Sequence, residues 1–191
     1  MLNPFYDKFL FTNALKFRQN NFFLADIPFL IMPSDLLRGL VEQNNPALNK
    51  QVYACIKQAT KSYLEPRISS SFHLNKDKVL EFFQNFFSSS GWGFIETINF
   101  DRENRRAIVL VKNSPLASAL SGKVVFPVDH FFRGVLAALF SLYFQDDFDC
   151  IELSCAAQGN EACEFIVKHA HAFAKTTESL TQLDFPASPS E

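Results

Sequence analysis

The stretch from Asp149 to Val167, DCIELSCAAQGNEACEFIV, gathers three of the chain's four cysteines beside carboxylates and a glycine-bearing turn. Glu152, Cys155 and Cys163 are ligand types for a borderline-soft cation such as zinc, which accepts thiolate sulfur and carboxylate oxygen in four-coordinate sites. Three donors leave a fourth position to fill. The spacing is not that of the close cysteine pairs in a zinc ribbon or finger, so the residues alone leave two readings open. One is a metal site. The other is a β-hairpin whose cysteines serve as small buried hydrophobes. Glu152 and Cys155 are an odd number of residues apart, which on an ideal strand puts them on opposite faces. A shared site therefore requires a bulge or an early strand end near Ser154.

The elements that must position these residues are legible as periodic runs. The longest helix, about Asp129 to Phe144, is apolar on nearly every side and reads as a buried spine. Gly134 inside it is costly for a helix and signals close approach by another backbone or a ligand. Trp92 to Phe100 and Arg106 to Lys112 read as antiparallel strands around the charged turn Asp101 to Arg105, with the second strand central because Ile108 to Val111 is continuously apolar. Upstream, Asn20-Asn21 marks a hairpin, and Pro28 and Pro33 place the following run at a sheet edge or outside it.

A helix opens at Ser34-Asp35 with Leu36, Leu37, Leu40 and Val41 as its stripe. A second runs from about Pro46 to Leu64, with Leu48, Val52, Cys55, Ile56 and Ala59 inward, and ends at Glu65-Pro66. A third, from about Asn75, carries a dense set of phenylalanines. Leu116 to Leu120 suits a short helix. Residues 1–13 form an apolar arm, and the Ser- and Pro-containing tail from Thr176 reads as disordered.

The totals narrow the function classes. A net charge of -2 and a pI near 6.1 argue against a nucleic-acid surface. Asn3, Pro4, Asp7 and Lys8 interrupt the first ten residues, and the apolar run Val135 to Leu142 is too short to span a bilayer. A cytoplasmic compartment and free thiols are the expectation. With 23 phenylalanines against one tryptophan and four tyrosines, the aromatic mass suits core filling or an apolar cavity. No Ser-His-Asp ordering, nucleotide-binding glycine fingerprint or phosphate loop is present, so a binding role is expected rather than an enzyme.

Asp129-His-Phe-Phe-Arg-Gly134, the apolar helix, and the run Glu152 to Phe165 with Cys155, Gly159 and Cys163 together resemble the 4-vinyl reductase domain, a small-molecule-binding family. Its fold is similar to that of the transport protein particle (TRAPP) subunits, which implies an α+β sandwich of antiparallel sheet against helices. The resemblance covers about residues 75–168 and sets a ligand-binding domain over 75–175. It leaves residues 1–74 as an amino-terminal dimerisation region of arm, hairpin and helices, and 176–191 as the tail. It implies a structural zinc held by Glu152, Cys155, Cys163 and, at the start of the long helix, Asp129, where relatives that sense aromatic effectors carry a cysteine. Asp129 has a second reading as the helix N-cap, and His130 and Cys150 are neighbouring substitutes. The function implied is binding or sensing of a small hydrophobic or aromatic molecule by a homodimer. Phe82, Phe83, Phe86, Trp92, Ile108, Leu110, Phe131 and Val135 are the expected lining, and His73, Trp92 or His130 a polar contact. The alternative is a dimeric interaction module without a physiological ligand.

Overall fold

The periodic runs resolve, in a computed structural model that describes residues 15–24, 27–70 and 76–185, into the expected α+β architecture. The arm at residues 1–13, His73 and residues 186–191 lie outside those described. The first elements are a three-stranded antiparallel meander, β1 (Leu15–Arg18), β2 (Asn21–Leu24) and β3 (Ile27–Phe29). Its first turn is made by Gln19 and Asn20, both at positive φ, a geometry that asparagine tolerates better than most residues. Pro28 sits in the edge strand β3, where its missing N–H costs no ladder bond.

Helices α1 (Asp35–Val41), α2 (Pro46–Ser70) and α3 (Lys76–Ser89) follow, and then the main sheet begins. Its strands are β4 (Phe94–Asp101), β5 (Arg106–Lys112), β6 (Phe148–Ser154) and β7 (Cys163–His169), in the antiparallel order β4-β5-β7-β6. The short helix α4 (Pro115–Leu120) and the spine α5 (His130–Phe144) lie between β5 and β6. Ala107, Val109 and Val111 of β5 and Phe165 of β7 point into the core, where Phe132 of α5 meets Phe165 with ring centroids 5.5 Å apart. Strand alternation then directs Ile108 and Leu110 to the opposite face of the sheet.

Several expectations are revised. Helix α2 continues through Pro66 to Ser70, although an interior proline removes one ladder bond and crowds the carbonyl four residues before it. Its inward face carries Asn49, Tyr53 and Leu64, rotated from the expected stripe, and Cys55 is exposed rather than core. Within the stripe expected of α1, Leu36 and Leu40 are exposed and Val41 is fully buried. The tail is ordered well past Thr176. Helix α6 (Thr177–Gln182) is opened by a capping box in which Thr176 and Ser179 satisfy each other's backbone and side-chain groups, and Ser179 and Leu183 are buried.

Both outer edges of the sheet carry side-chain hydrogen bonds to their backbone. On β4, the N–H groups of Ile95 and Thr97 donate to Ser88 Oγ at 3.0 Å and Gln84 Oε1 at 3.4 Å. On β6, Cys150 N–H donates to Tyr53 Oη at 3.1 Å and Cys150 C=O accepts from Arg133 Nε at 3.0 Å. Two residues on, Glu152 N–H donates to Gln182 Oε1 and Glu152 C=O accepts from Gln182 Nε2, each at 2.9 Å.

Gly134 marks the closest helix crossing. A Cβ there would lie 2.8 Å from the Tyr53 carbonyl and 2.9 Å from Ile56, so α5 approaches α2 as only glycine allows. Gly134→Ala is expected to destabilise the protein by about 1–3 kcal/mol in denaturant titration, the usual cost of overpacking. An unchanged midpoint would show that the crossing has slack.

Candidate metal centre

Strand β6 delivers Glu152 and Cys155 to one place through an irregularity in its pairing. Glu152 lies opposite Phe165 and Ser154 opposite Glu164, so Leu153 is an extra residue in β6. This bulge is the feature that the odd spacing required. The strand ends at Ser154, and a single 3-10 turn over Ala156–Gln158, closed by Gly159 at φ +92°, leads back to Cys163 at the start of β7. Glu152, Cys155 and Cys163 are buried, and their donor atoms all lie within 4.8 Å of one another.

The local geometry suits a tetrahedral cation. The Cys155 and Cys163 sulfurs are 3.9 Å apart, close to the edge of about 3.8 Å that a tetrahedron with zinc–sulfur bonds of ~2.3 Å requires. Backbone N–H groups face both sulfurs: Ala156 donates to Cys163 Sγ at 3.3 Å, and those of Ala157 and Val128 face Cys155. Such contacts favour thiolates. Glu152 Oε2 accepts the Asp129 N–H at 3.0 Å, while Oε1 is buried with no hydrogen-bond partner. The Glu152 carboxyl also faces the Cys155 thiol, so in the absence of an ion a shared proton, and in its presence a metal, would occupy the space between them.

Asp129 flanks this cluster and is not one of its three mutually close donors. It occupies the N-cap position of α5 but makes no side-chain cap bond. Its carboxylate instead accepts from Ser114 Oγ at 2.9 Å and bonds with the Cys163 thiol. Ser114 is itself fixed as the N-cap of α4, accepting from Ala117 N–H. Cys150 faces a different environment, where burial pushes its thiol well above the ordinary range. His130 turns toward Arg133, and burial together with that cation lowers it to about 3.

Charge is the dominant physical issue at this centre. Burial raises the Asp129 carboxyl, and burial together with the neighbouring Asp129 and Cys155 pushes Glu152 well above the usual carboxylate range. The bond from Cys163 brings Cys155 down to about 7, while the same bond and burial push Cys163 up. Without a cation these groups share protons. A divalent ion would release them, since the ligating forms are ionised.

The other residues expected to work together are divided. Phe82, Phe83 and Phe86 stack among themselves on α3, and Phe83 packs with Val135 in a cluster between α2, α3 and α5. Trp92 lies against Phe87 and Phe132, and Phe131 is half-buried beside the main core. Ile108 and Leu110, on the far face of the sheet, cannot line a cavity with these. A cleft of ≈ 580 Å³ is lined by Lys61, Glu65, Gln145, Asp146 and Asp147 among others, and it shares no residue with the expected lining.

Residues 108–169 match the family model of the 4-vinyl reductase domain. The resemblance read from the sequence is borne out, and the matched segment contains Asp129, Glu152, Cys155 and Cys163. In fold, the chain is similar to the crystal structure of the phenol-responsive sensory domain of the transcription activator PoxR with phenol. The TM-score there is 0.72 at 12% identity, over 89% of this chain and 90% of that one. Two further structures match with lower scores. A vinyl-4-reductase family protein from Methanocaldococcus jannaschii is 24% identical over 61% of this chain and 66% of that one, with TM-score 0.47. A trafficking protein particle complex subunit 3 from Naegleria fowleri, covalently bound to palmitic acid, is 15% identical over 64% and 80%, with TM-score 0.42. No curated protein matches the sequence. Among the described residues no helix is long and apolar enough to cross a membrane.

Sequence reasoning missed the groups that surround this centre. Arg133 is fully buried, its guanidinium 4.4 Å from the centre of the Tyr53 ring and bonded to Cys150 C=O, His130 Nδ1 and Gln182 C=O. Tyr53, Ser114 and Gln182 escaped notice for the same reason: their partners are distant in sequence.

Because the Cys163 thiol is pushed far up and Cys155 sits at about 7, zinc binding is expected to release more than one proton per ion at about pH 7, and the apparent affinity to climb with pH. The metal-free protein should behave oppositely, losing stability as pH rises through the raised carboxyl values. Calorimetry in buffers of different ionisation enthalpy measures the first and denaturation at several pH values the second. Proton-neutral binding would contradict this description of the centre.

Proposed function

We propose that this protein binds or senses a small hydrophobic or aromatic molecule, and that a structural zinc ties the start of α5 to the β6–β7 hairpin. The observation that carries the first half is the fold correspondence, over about nine tenths of both chains, with a domain solved with phenol. At 12% identity that likeness speaks of the fold, so the chemistry of the ligand rests on the apolar lining. Of the expected lining, Phe82, Phe83, Phe86, Trp92, Phe131 and Val135 stay on the helix side of the sheet, and the ligand is assigned there. Trp92, which packs against Phe87 and Phe132, is the polar group on that side.

The second half rests on the buried donor cluster. Glu152, Cys155 and Cys163 would hold the ion, with Asp129 completing the set by turning from Ser114. Zinc there supplies fixed charge and a cross-link between elements, not a reaction, because four protein donors leave no position for substrate.

Protein purified without added zinc or chelator should carry a zinc ion per chain by elemental analysis, and Cys155→Ser or Cys163→Ser should lose it. Mass spectrometry of a denatured extract should find an apolar or aromatic molecule in comparable amount. A metal-free preparation would remove the zinc half, and an empty extract the ligand half.

A specific observation also supports self-association. Leu30, Ile31 and Leu36 are 75%, 65% and 64% exposed, with Met32 and Leu40 beside them in sequence, and such a run of apolar surface in the amino-terminal region suits a partner copy. On this reading the chain is a homodimer, and the doubly charged variant Leu36→Glu, Leu40→Glu shifts it to monomer in light scattering. A native mass equal to one chain would refute the dimer.

A further inference from the structure

The position of the β6 bulge decides which residue faces the buried centre. Side chains alternate along a strand, so moving the extra residue by one position would exchange Glu152 with Leu153. Glu152 is 1% exposed and Leu153 47%. On the β7 side the register is held at Glu152 and Ser154, with no residue opposite Leu153. On the outer side, both backbone bonds of Glu152 come from the single amide of Gln182.

Gln182 is well anchored for that task. Its own carbonyl accepts from Arg133 at 2.6 Å, and it is itself buried. Helix α6 is held by its capping box, by buried Ser179 and Leu183, and by the Lys50–Asp184 ion pair at 3.3 Å. Phe173, at the start of the segment, is buried with Lys168 above its ring.

We propose that the segment Phe173–Phe185 is a latch that pins the β6 bulge through Gln182 and thereby sets Glu152 as a metal donor. The proposal rests on the zinc reading of the centre. Gln182 touches no donor side chain, so it is a positioning residue acting through the Glu152 backbone. Its seating and the occupation of the centre are thermodynamically linked, and linkage is reciprocal. Whatever seats the latch tightens the metal, and the metal tightens the latch. The state of a fully buried centre thus becomes readable at the surface, where Asp184 is exposed.

The test uses the full chain with zinc and cobalt as probes. Gln182→Ala should weaken zinc by about 10–100-fold in chelator competition, the usual effect of removing a group that orients a ligand. Gln182→Glu, which keeps the acceptor and loses the donor, should fall between. Cobalt bound to Gln182→Ala should keep its thiolate charge-transfer bands while the ligand-field bands shift, because Glu152 is displaced and both cysteines remain. Zinc should slow hydrogen exchange across residues 173–185 in the native chain and not in Gln182→Ala. Val79→Ala, a cavity in the helix cluster away from the centre, should lower stability without changing zinc affinity, which separates positioning from general loosening. Equal zinc affinity in native and Gln182→Ala protein would overturn the latch and leave the zinc reading intact. Failure of the native chain to bind zinc at all would overturn both.

Discussion

Strand β6 ends its sheet yet lies inside the protein, and a buried edge must find partners for backbone groups that no neighbouring strand supplies. An orphaned N–H or C=O there would cost about 1–3 kcal/mol. Three side chains take the place of a fifth strand. Tyr53 comes from α2, Arg133 from α5 and Gln182 from the far side of α6, and each bonds β6 backbone at Cys150 or Glu152. Helices that would otherwise pack only through apolar faces are thereby fixed in azimuth, since each must aim a polar group at one residue.

That requirement explains a buried arginine in an apolar helix. Arg133 has lost all contact with water, and burial lowers its pKa from the ordinary arginine value. Its donors go to two carbonyls and a histidine, and its charge lies over the Tyr53 ring. The Tyr53 hydroxyl in turn donates to Asp149 at 2.6 Å, which also holds Lys57 at 2.8 Å, so the network reaches solvent through a carboxylate–lysine pair. A planar guanidinium with several fixed donors can serve a strand edge and a carbonyl together, which a lysine could not.

Much of this was legible from local pattern. The spine α5, the β4–β5 pair with β5 inside, the terminal hairpin and the close approach at Gly134 follow from periodicity and from what glycine permits. For Glu152 and Cys155 to share a site, their spacing called for a bulge or an early strand end near Ser154, and β6 has both. What stayed hidden depends on pairing across the chain. The inward face of α2 carries Asn49 and Tyr53 instead of the more apolar neighbours because Tyr53 serves β6, a partner far along the sequence. Thr176–Gln182 reads as a polar tail by composition, and its capping box uses serine where glutamate or glutamine is the usual signal. Only the partner strand turns that polar helix into part of the core.

Asp129 joins the strand edge to the candidate centre. Its N–H holds Glu152 Oε2, and the neighbouring Val128 N–H faces the Cys155 sulfur, so the amino-terminal end of α5 presents backbone donors to two of the three clustered ligands. The partial positive charge of a helix amino terminus favours anions at that place. It offsets only part of the repulsion among two carboxylates and two thiols, and the remainder is carried by protons or by a cation. Without an ion, the Asp129 carboxylate keeps Ser114 Oγ as a hydrogen-bond donor at 2.9 Å, so the buried group is not left unpartnered.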